Sequence, residues 1–536
     1  MTPKKHSLFE GPRAFALLVV LVALVVRMWD LTSRSLWLDE AVEYWTATSP
    51  LLHLPAFVRA IIQDPPLYSF LLHVWMIPTD HEAWMRLLSV VFGMGSVAGV
   101  MVLGYRLGGW LPALGAGSLM AVIPTAIHYS QEVGQYAPMQ CLIVWSTVAL
   151  LDVARAPSRE RYVRWGVVAA AAMYTYYGTV LPVVIPFLCF VAESAMQRDR
   201  ARTRAGLITL LAVFVAVLPL LIYFIPSQLH RGPTERGLDP GHVSSLTQGA
   251  ASFLKALKVT IGFWFTGWPS TAISVWLTIG LFVVLLVLAV RAQRRFAVWV
   301  GVTALVYSLI GWLHLFPFGF RHSLILTPLF VPLLACALRW HDAHRFHRAA
   351  VALVFGALCI CAILSPTNRE LRTRWFGTSY AFWPESEDIG AATKYWAGHR
   401  TPGQPTYVYY AAAPAFAYYA QQYTHEQIAR PPDWFLQCWR NQAAPFCRDG
   451  SVYYGRWLRS SKPEEKAQSV FETMDQVPDE FWYITAHSQK MEQMTIGAML
   501  HQYFDFADQY SGDDASAVLM RRNATPLESQ PPTTRP

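Results

Sequence analysis

Ser35-Leu36-Trp37-Leu38-Asp39-Glu40-Ala41 sets two adjacent carboxylates between large apolar side chains, shortly after the apolar run Ala14–Met28. Carboxylates beside an apolar run cost desolvation energy unless they are paired or used, so the pair reads as a functional-site candidate. The plainer alternative is that both acids cap or solvate a loop helix. The choice depends on where the stretch lies, and the composition around it answers that. Of 536 residues, 54% are hydrophobic and only 15% are charged. A soluble globular chain carries about a quarter charged residues. The deficit is concentrated in long apolar stretches, which makes this a polytopic α-helical membrane protein.

The net charge of +8 does not point to nucleic acid. Its arginines cluster in short connections between apolar runs, which is orientation chemistry. Lys4, Lys5 and Arg13 precede the first run, and Arg27-Met28-Trp29-Asp30 follows it without a small-x-small cleavage site. A retained first span with a cytoplasmic N-terminus is expected. Further spans, each near the 20 apolar residues a bilayer requires, are expected at 84–104, 111–127, 137–154, 164–178, 180–196, 206–225, 271–290, 296–316, 322–340 and 349–365. Basic groups at Arg106, Arg155–Arg164, Arg198–Arg204, Arg291–Arg295 and Arg339–Arg348 then share one side. About 11 transmembrane helices follow, with the C-terminus outside.

The membrane module is expected over 1–365. Its first outer loop, 31–83, carries interleaved aromatics and prolines that suit interfacial helices. A long outer loop covers 226–270, a length usual for lids or disordered segments. Residues 366–522 change to a polar and aromatic mixture, read as a small extracytoplasmic α/β domain. In it, 406–410 and 481–485 read as strands and 411–422 as a helix. The Pro- and Thr-rich stretch 523–536 reads as a disordered tail. Cys438 and Cys447 in this domain are a disulfide pair or two free thiols; the other five cysteines lie in apolar spans as packing residues. There is no Walker loop, dinucleotide fingerprint or His-Glu-x-x-His sequence.

Polar clusters gather on the outer face. Gln63-Asp64-Pro65-Pro66-Leu67-Tyr68 rigidifies a turn and presents Asp64 and Tyr68, or is simply a helix break. His128-Tyr129-Ser130-Gln131-Glu132-Val133-Gly134-Gln135-Tyr136 is a second polar run, and Phe318-Gly319-Phe320-Arg321-His322 a third. Arg321 suits a phosphate, through charge-assisted hydrogen bonds, or snorkels to the interface. A carboxylate that takes a proton from a hydroxyl, with a cation to stabilise a departing phosphate, fits transfer from a lipid-linked phosphate.

The order Ser35–Ala41, Asp64-Pro65-Pro66-Leu67-Tyr68, Arg86-Leu87-Leu88-Ser89-Val90-Val91-Phe92-Gly93 resembles that of GT-C glycosyltransferases. It is most similar to the bacterial protein-mannosyltransferase-like branch, which includes aminoarabinose and galacturonic acid transferases of lipid A. Ser130-Gln131-Glu132 with Tyr136 resembles the second outer-loop motif, and Arg321-His322 the late Arg-Tyr helix start. The resemblance implies a polyprenyl-phosphate sugar donor and inverting transfer, in the inner membrane of a bacterium. The acceptor would be an envelope glycolipid, glycan or protein, on the outer face of the lipid bilayer.

The same resemblance implies Asp39 as catalytic carboxylate with Glu40 in support. Arg86, Arg321, His322, Asp64, Tyr68, Gln131, Glu132 and Tyr136 are then candidates for holding donor phosphate or substrate. No cofactor is implied, although Asp39 and Glu40 together could hold a divalent cation. Gly134 stands where relatives often carry Arg, and Asp64 where they often carry His or Asn. The alternatives are a secondary transporter or a non-catalytic handler of lipid-linked sugars. Few mid-depth charges and no internal repeat disfavour the transporter.

Overall fold

A computed structural model describes residues 11–61, 64–229, 258, 260–265, 272–313, 315–317, 320–339, 345–364, 387–424, 446–458, 462–488, 490–512 and 514–523. The chain divides into two compact units, 1–31 with 63–383 and 32–62 with 384–536. The first outer loop is therefore split between them. Its acidic half belongs to the same unit as the C-terminal domain.

In the first unit, six helices among the described residues are long and apolar enough to cross a membrane. They are Glu82–Gly108, Tyr136–Arg155, Tyr177–Met196, Arg200–Ser227, Val275–Ala292 and Arg294–Trp312. Shorter apolar helices cover Trp110–Val122, Thr327–Arg339 and Ala349–Ile363. The expected count of eleven is not confirmed among the described residues. The span expected at 164–178 is a helix Arg159–Met173 that opens on Arg159, Glu160, Arg161 and Arg164, which shortens its apolar part. Pro332 lies inside the short helix Thr327–Ala335, and a 3-10 turn continues it.

Helix α1 (Pro12–Met28) carries a fully buried Arg27 near its end. Its guanidinium donates to the Met120 carbonyl at 2.9 Å, the Ala121 carbonyl at 3.3 Å and Ser130 Oγ at 3.2 Å. Met120 and Ala121 lie in the last turn of the helix Trp110–Val122, where carbonyls lack helical partners and favour a cation. A buried charge is tolerated here because several acceptors surround it. Gly93 makes the arrangement possible. A Cβ there would collide with Ser130 and approach Arg27 Nε to 3.3 Å.

In the second unit, a six-stranded mixed sheet has the order β2-β3-β1-β4-β6-β5. The strands are β1 (Thr406–Val408), β2 (Phe446–Asp449), β3 (Val452–Gly455), β4 (Glu480–Ala486), β5 (Phe504–Gly512) and β6 (Ala515–Arg522). Central β1 lies parallel to both neighbours, with Tyr407 opposite Tyr453 on one side and Tyr483 on the other. All three residues of β1 are buried, the pattern of a strand covered on both faces. Helix Ile389–His399 packs Trp396 into this core, its indole N–H donating to Thr406 Oγ1 at 3.0 Å. The expected strands at 406–410 and 481–485 and the helix near 411–422 occur as Thr406–Val408, Glu480–Ala486 and Ala413–Thr424.

The 226–270 loop lies mostly outside the described residues, as do 365–386 and 524–536. Cys447 on β2 is disulfide-bonded. Cys438, its expected partner, lies outside the described residues. The other five cysteines are free.

Candidate functional site

Helix α2 (Leu38–Ala47) carries the acidic pair in its first turn. Such a position favours negative charge, because unpaired amides and the helix dipole face it. The two acids are used differently. Glu40 is 2% exposed, and its carboxylate accepts the Trp37 N–H at 3.4 Å, one half of a capping box. Asp39 beside it is partly exposed.

The second unit's own side chains fix α2 in place. Tyr419 Oη accepts the Leu36 N–H at 2.7 Å, Ser35 Oγ accepts the Gly390 N–H at 3.0 Å, and the Trp45 indole donates to the Pro414 carbonyl at 2.9 Å. Gly390 permits the close approach, since a Cβ there would sit 2.8 Å from Ser35 Oγ and 3.2 Å from the Tyr419 ring.

Asp39 lies within electrostatic reach of two further ionisable groups, Glu387 and His487. Glu387 accepts a 2.5 Å hydrogen bond from His487 Nδ1, and the His487 ring lies 5.8 Å from that of Trp37. Burial pushes the Glu387 carboxyl up, against the pull of His487. Burial alone would lower His487, but the Glu387 carboxylate, with Asp39 and Asp514, outweighs it and leaves the imidazole raised. Burial raises Asp514 to about 7, with Glu387 adding and His487 opposing. Two carboxyls and one imidazole thus gather near Asp39, and each of these three groups is shifted upward. None of Glu387, His487 and Asp514 belongs to a recognisable spacing, so the sequence alone gave no signal for them.

In the first unit a second cluster forms where helix ends meet. Asp64 accepts from Gln135 Nε2 at 2.7 Å. Gln135 caps the helix that begins at Tyr136, and the Tyr136 ring lies 5.9 Å from Tyr176 and 4.7 Å from Tyr129. The Arg321 guanidinium lies over the Tyr136 ring, 5.9 Å from its centre. Tyr176 Oη and His322 Nδ1 share a 2.7 Å hydrogen bond, and Asp64, Tyr136, Tyr307 and Arg321 are all within electrostatic reach of that hydroxyl. Four expected residues, Asp64, Tyr136, Arg321 and His322, thus come together. Gln135, Tyr176 and Tyr307 join them unanticipated. Gln135 sits inside the quoted polar run 128–136, so its neighbours were a usable signal.

The remaining expected residues lie apart from the Arg321 contacts described above. Tyr68 is buried on the helix Leu67–Trp75, its hydroxyl 3.0 Å from Ser89 Oγ. Arg86 is 2% exposed, donates to the Leu31 carbonyl at 2.5 Å and lies 3.7 Å from Glu82. Gln131 Nε2 donates to the Trp29 carbonyl at 2.7 Å and reaches the Arg27 carbonyl at 3.2 Å, closing the end of α1. Glu132 pairs with His128 at 3.3 Å, with both nearly buried.

Residues 63–223 match the family model of dolichyl-phosphate-mannose-protein mannosyltransferases. That segment holds the cluster residues from Asp64 to Tyr176 and begins after the Asp39-Glu40 pair. No curated protein matches by sequence. Among solved structures, ArnT from Cupriavidus metallidurans in the apo state is 13% identical, with 94% of this chain and 98% of that one aligned and a TM-score of 0.55. The same protein bound to undecaprenyl phosphate aligns over 97% of this chain and all of the other, at 13% identity and a TM-score of 0.54. The apo oligosaccharyltransferase of Archaeoglobus fulgidus is 12% identical over 98% of this chain and 76% of that one, with a TM-score of 0.53. Identities so low speak for the fold. The chain shares the fold of these membrane proteins, and its segment 63–223 matches the mannosyltransferase family model.

Proposed function

We propose that the chain is a multi-pass glycosyltransferase of a bacterial inner membrane. It transfers a sugar from a polyprenyl-phosphate donor to an acceptor hydroxyl on the extracytoplasmic face, with inversion at the anomeric carbon. The N-terminus is cytoplasmic and the C-terminal domain extracytoplasmic. Asp39 acts as general base toward the acceptor hydroxyl, a role worth about 10²- to 10⁴-fold in rate. Arg321, backed by His322, Tyr136 and Asp64, holds the donor phosphate and stabilises the charge left on it when the sugar departs. Glu40 shapes the turn that presents Asp39.

One observation carries the reading most. Of two adjacent acids in the first turn of α2, Glu40 is buried and used as a cap, while Asp39 is partly exposed. The fold shared with ArnT, one structure of which is bound to undecaprenyl phosphate, supports the class of donor.

Reconstitution tests it. Proteoliposomes of the purified chain are given radiolabelled polyprenyl-phosphate sugars and an extract of envelope glycolipids, glycans and proteins. Label should appear on one acceptor class as free polyprenyl phosphate accumulates in equal amount. Uptake of sugar or lipid without transfer would replace the enzyme with a transporter.

A further inference from the structure

The geometry points to a divalent-cation site in the C-terminal unit, formed by Glu387, His487 and Asp514. Each offers one ligand atom, and these atoms lie within 4.8 Å of one another. They come from three separate places: Glu387 just ahead of the helix Ile389–His399, His487 directly after β4, and Asp514 in the turn joining β5 to β6. A backbone hydrogen bond of 3.2 Å from the His487 amide to the Asp514 carbonyl ties two of them together. Gln493 Nε2 donates to Asp514 Oδ1 at 2.9 Å, the kind of outer contact that orients a ligand.

An independent observation points to a ligand. The Glu387 side chain is 0% exposed; its Oε1 accepts from His487, the Leu38 backbone amide also reaches the carboxylate, and its buried Oε2 makes no hydrogen bond of good geometry. A poorly satisfied carboxylate oxygen in such a place is costly, so it calls for a counter-charge. The imidazole now supplies one through a shared proton. A cation would replace that proton, which leaves to solvent, and would engage the idle oxygen as well. His487 and Asp514 both hold positive φ, 54° and 45°, a conformation that non-glycine residues rarely keep without cause.

The donor set selects the metal class. One imidazole with two carboxylates suits a borderline cation such as zinc or manganese better than magnesium, which prefers oxygen and water. Ligand distances near 2.0–2.2 Å need only a modest contraction of the cluster. Bound there, the cation would clamp the entry of the unit to its sheet beside the first turn of α2. The site stands on its own residues and does not depend on the transfer reaction.

Tag-free full-length protein in detergent, stripped with chelator, is titrated calorimetrically with zinc, manganese and magnesium chlorides. One equivalent of zinc or manganese should bind, magnesium more weakly, and the melting temperature should rise with metal. Glu387→Gln and the near-isosteric Asp514→Asn should each weaken binding roughly 100-fold, while the exposed control Asp475→Asn binds as wild type. Failure of the wild type to bind, or undiminished binding by both cluster variants, would overturn the site.

Discussion

The polar clusters of the two units differ in the sign of their chemistry. In the membrane unit, Arg321 lies over Tyr136 among tyrosines, with Asp64 held by Gln135. In the C-terminal unit, Asp39 shares its surroundings with Glu387, Asp514 and a single imidazole. The first suits an anion, the second a proton or a cation. Each kind of group belongs to a different unit of the chain. A carboxylate surrounded by other carboxylates also resists further negative charge.

The comparison breaks most severely where the second unit loses its internal charge pairing. Lys466 forms a buried ion pair with Glu492, whose other oxygen accepts from Tyr409 at 3.0 Å. Lys466→Ala leaves that carboxylate buried without its ion-pair partner, so the second unit should lose about 3–5 kcal/mol of stability. Limited proteolysis should then cut within 446–523 while the helices of the membrane unit stay resistant. Equal resistance in both units would mean the pair contributes little.

Arg321→Ala should raise the KM for the lipid-linked donor roughly 10- to 100-fold, the worth of about 1.5–3 kcal/mol from hydrogen bonds to a charged group. Arg321→Lys should recover part of that, since it restores charge without the planar fork. An unchanged donor KM in both would remove the phosphate from this cluster. Gly390→Ala forces a methyl against Ser35 and Tyr419, and should cost about 1–3 kcal/mol in thermal unfolding. Glu40→Gln should cost about 1 kcal/mol or less and keep transfer within tenfold of wild type, because it loses charge at a helix start but keeps its shape. A loss as deep as that expected for Asp39 would make Glu40 a participant in chemistry.

The sequence revealed the membrane class and the outer-face motifs because hydropathy and local spacing carry them. It showed the strands near Tyr407 and Trp482 for the same reason, through dense aromatic and β-branched runs. Its count of crossing helices is not confirmed among the described residues, and at 164–178 the expected span is a helix that opens on charged residues, Arg159–Arg164. The grouping of 32–62 with the C-terminal unit was not legible. It rests on contacts such as Ser35 with Gly390 and Leu36 with Tyr419, which no local period records. The cluster of Glu387, His487 and Asp514 was hidden likewise, since the three residues lie on separate segments far apart in the chain. Arg86 and Tyr68 show the opposite limit. Their motifs were visible, yet their side chains bind the Leu31 carbonyl and Ser89 inside the first unit.

The assignment of base and anion site to separate units is tested most directly by two conservative carboxylate variants compared side by side. The steady-state rate of sugar transfer from a polyprenyl-phosphate donor is measured for Asp39→Asn and Asp64→Asn in proteoliposomes of equal protein content. Asp39→Asn should lose about 10²- to 10⁴-fold in kcat, while Asp64→Asn keeps kcat within tenfold and shifts the donor KM. A wild-type rate for Asp39→Asn, with the large loss falling on Asp64→Asn, would contradict the account.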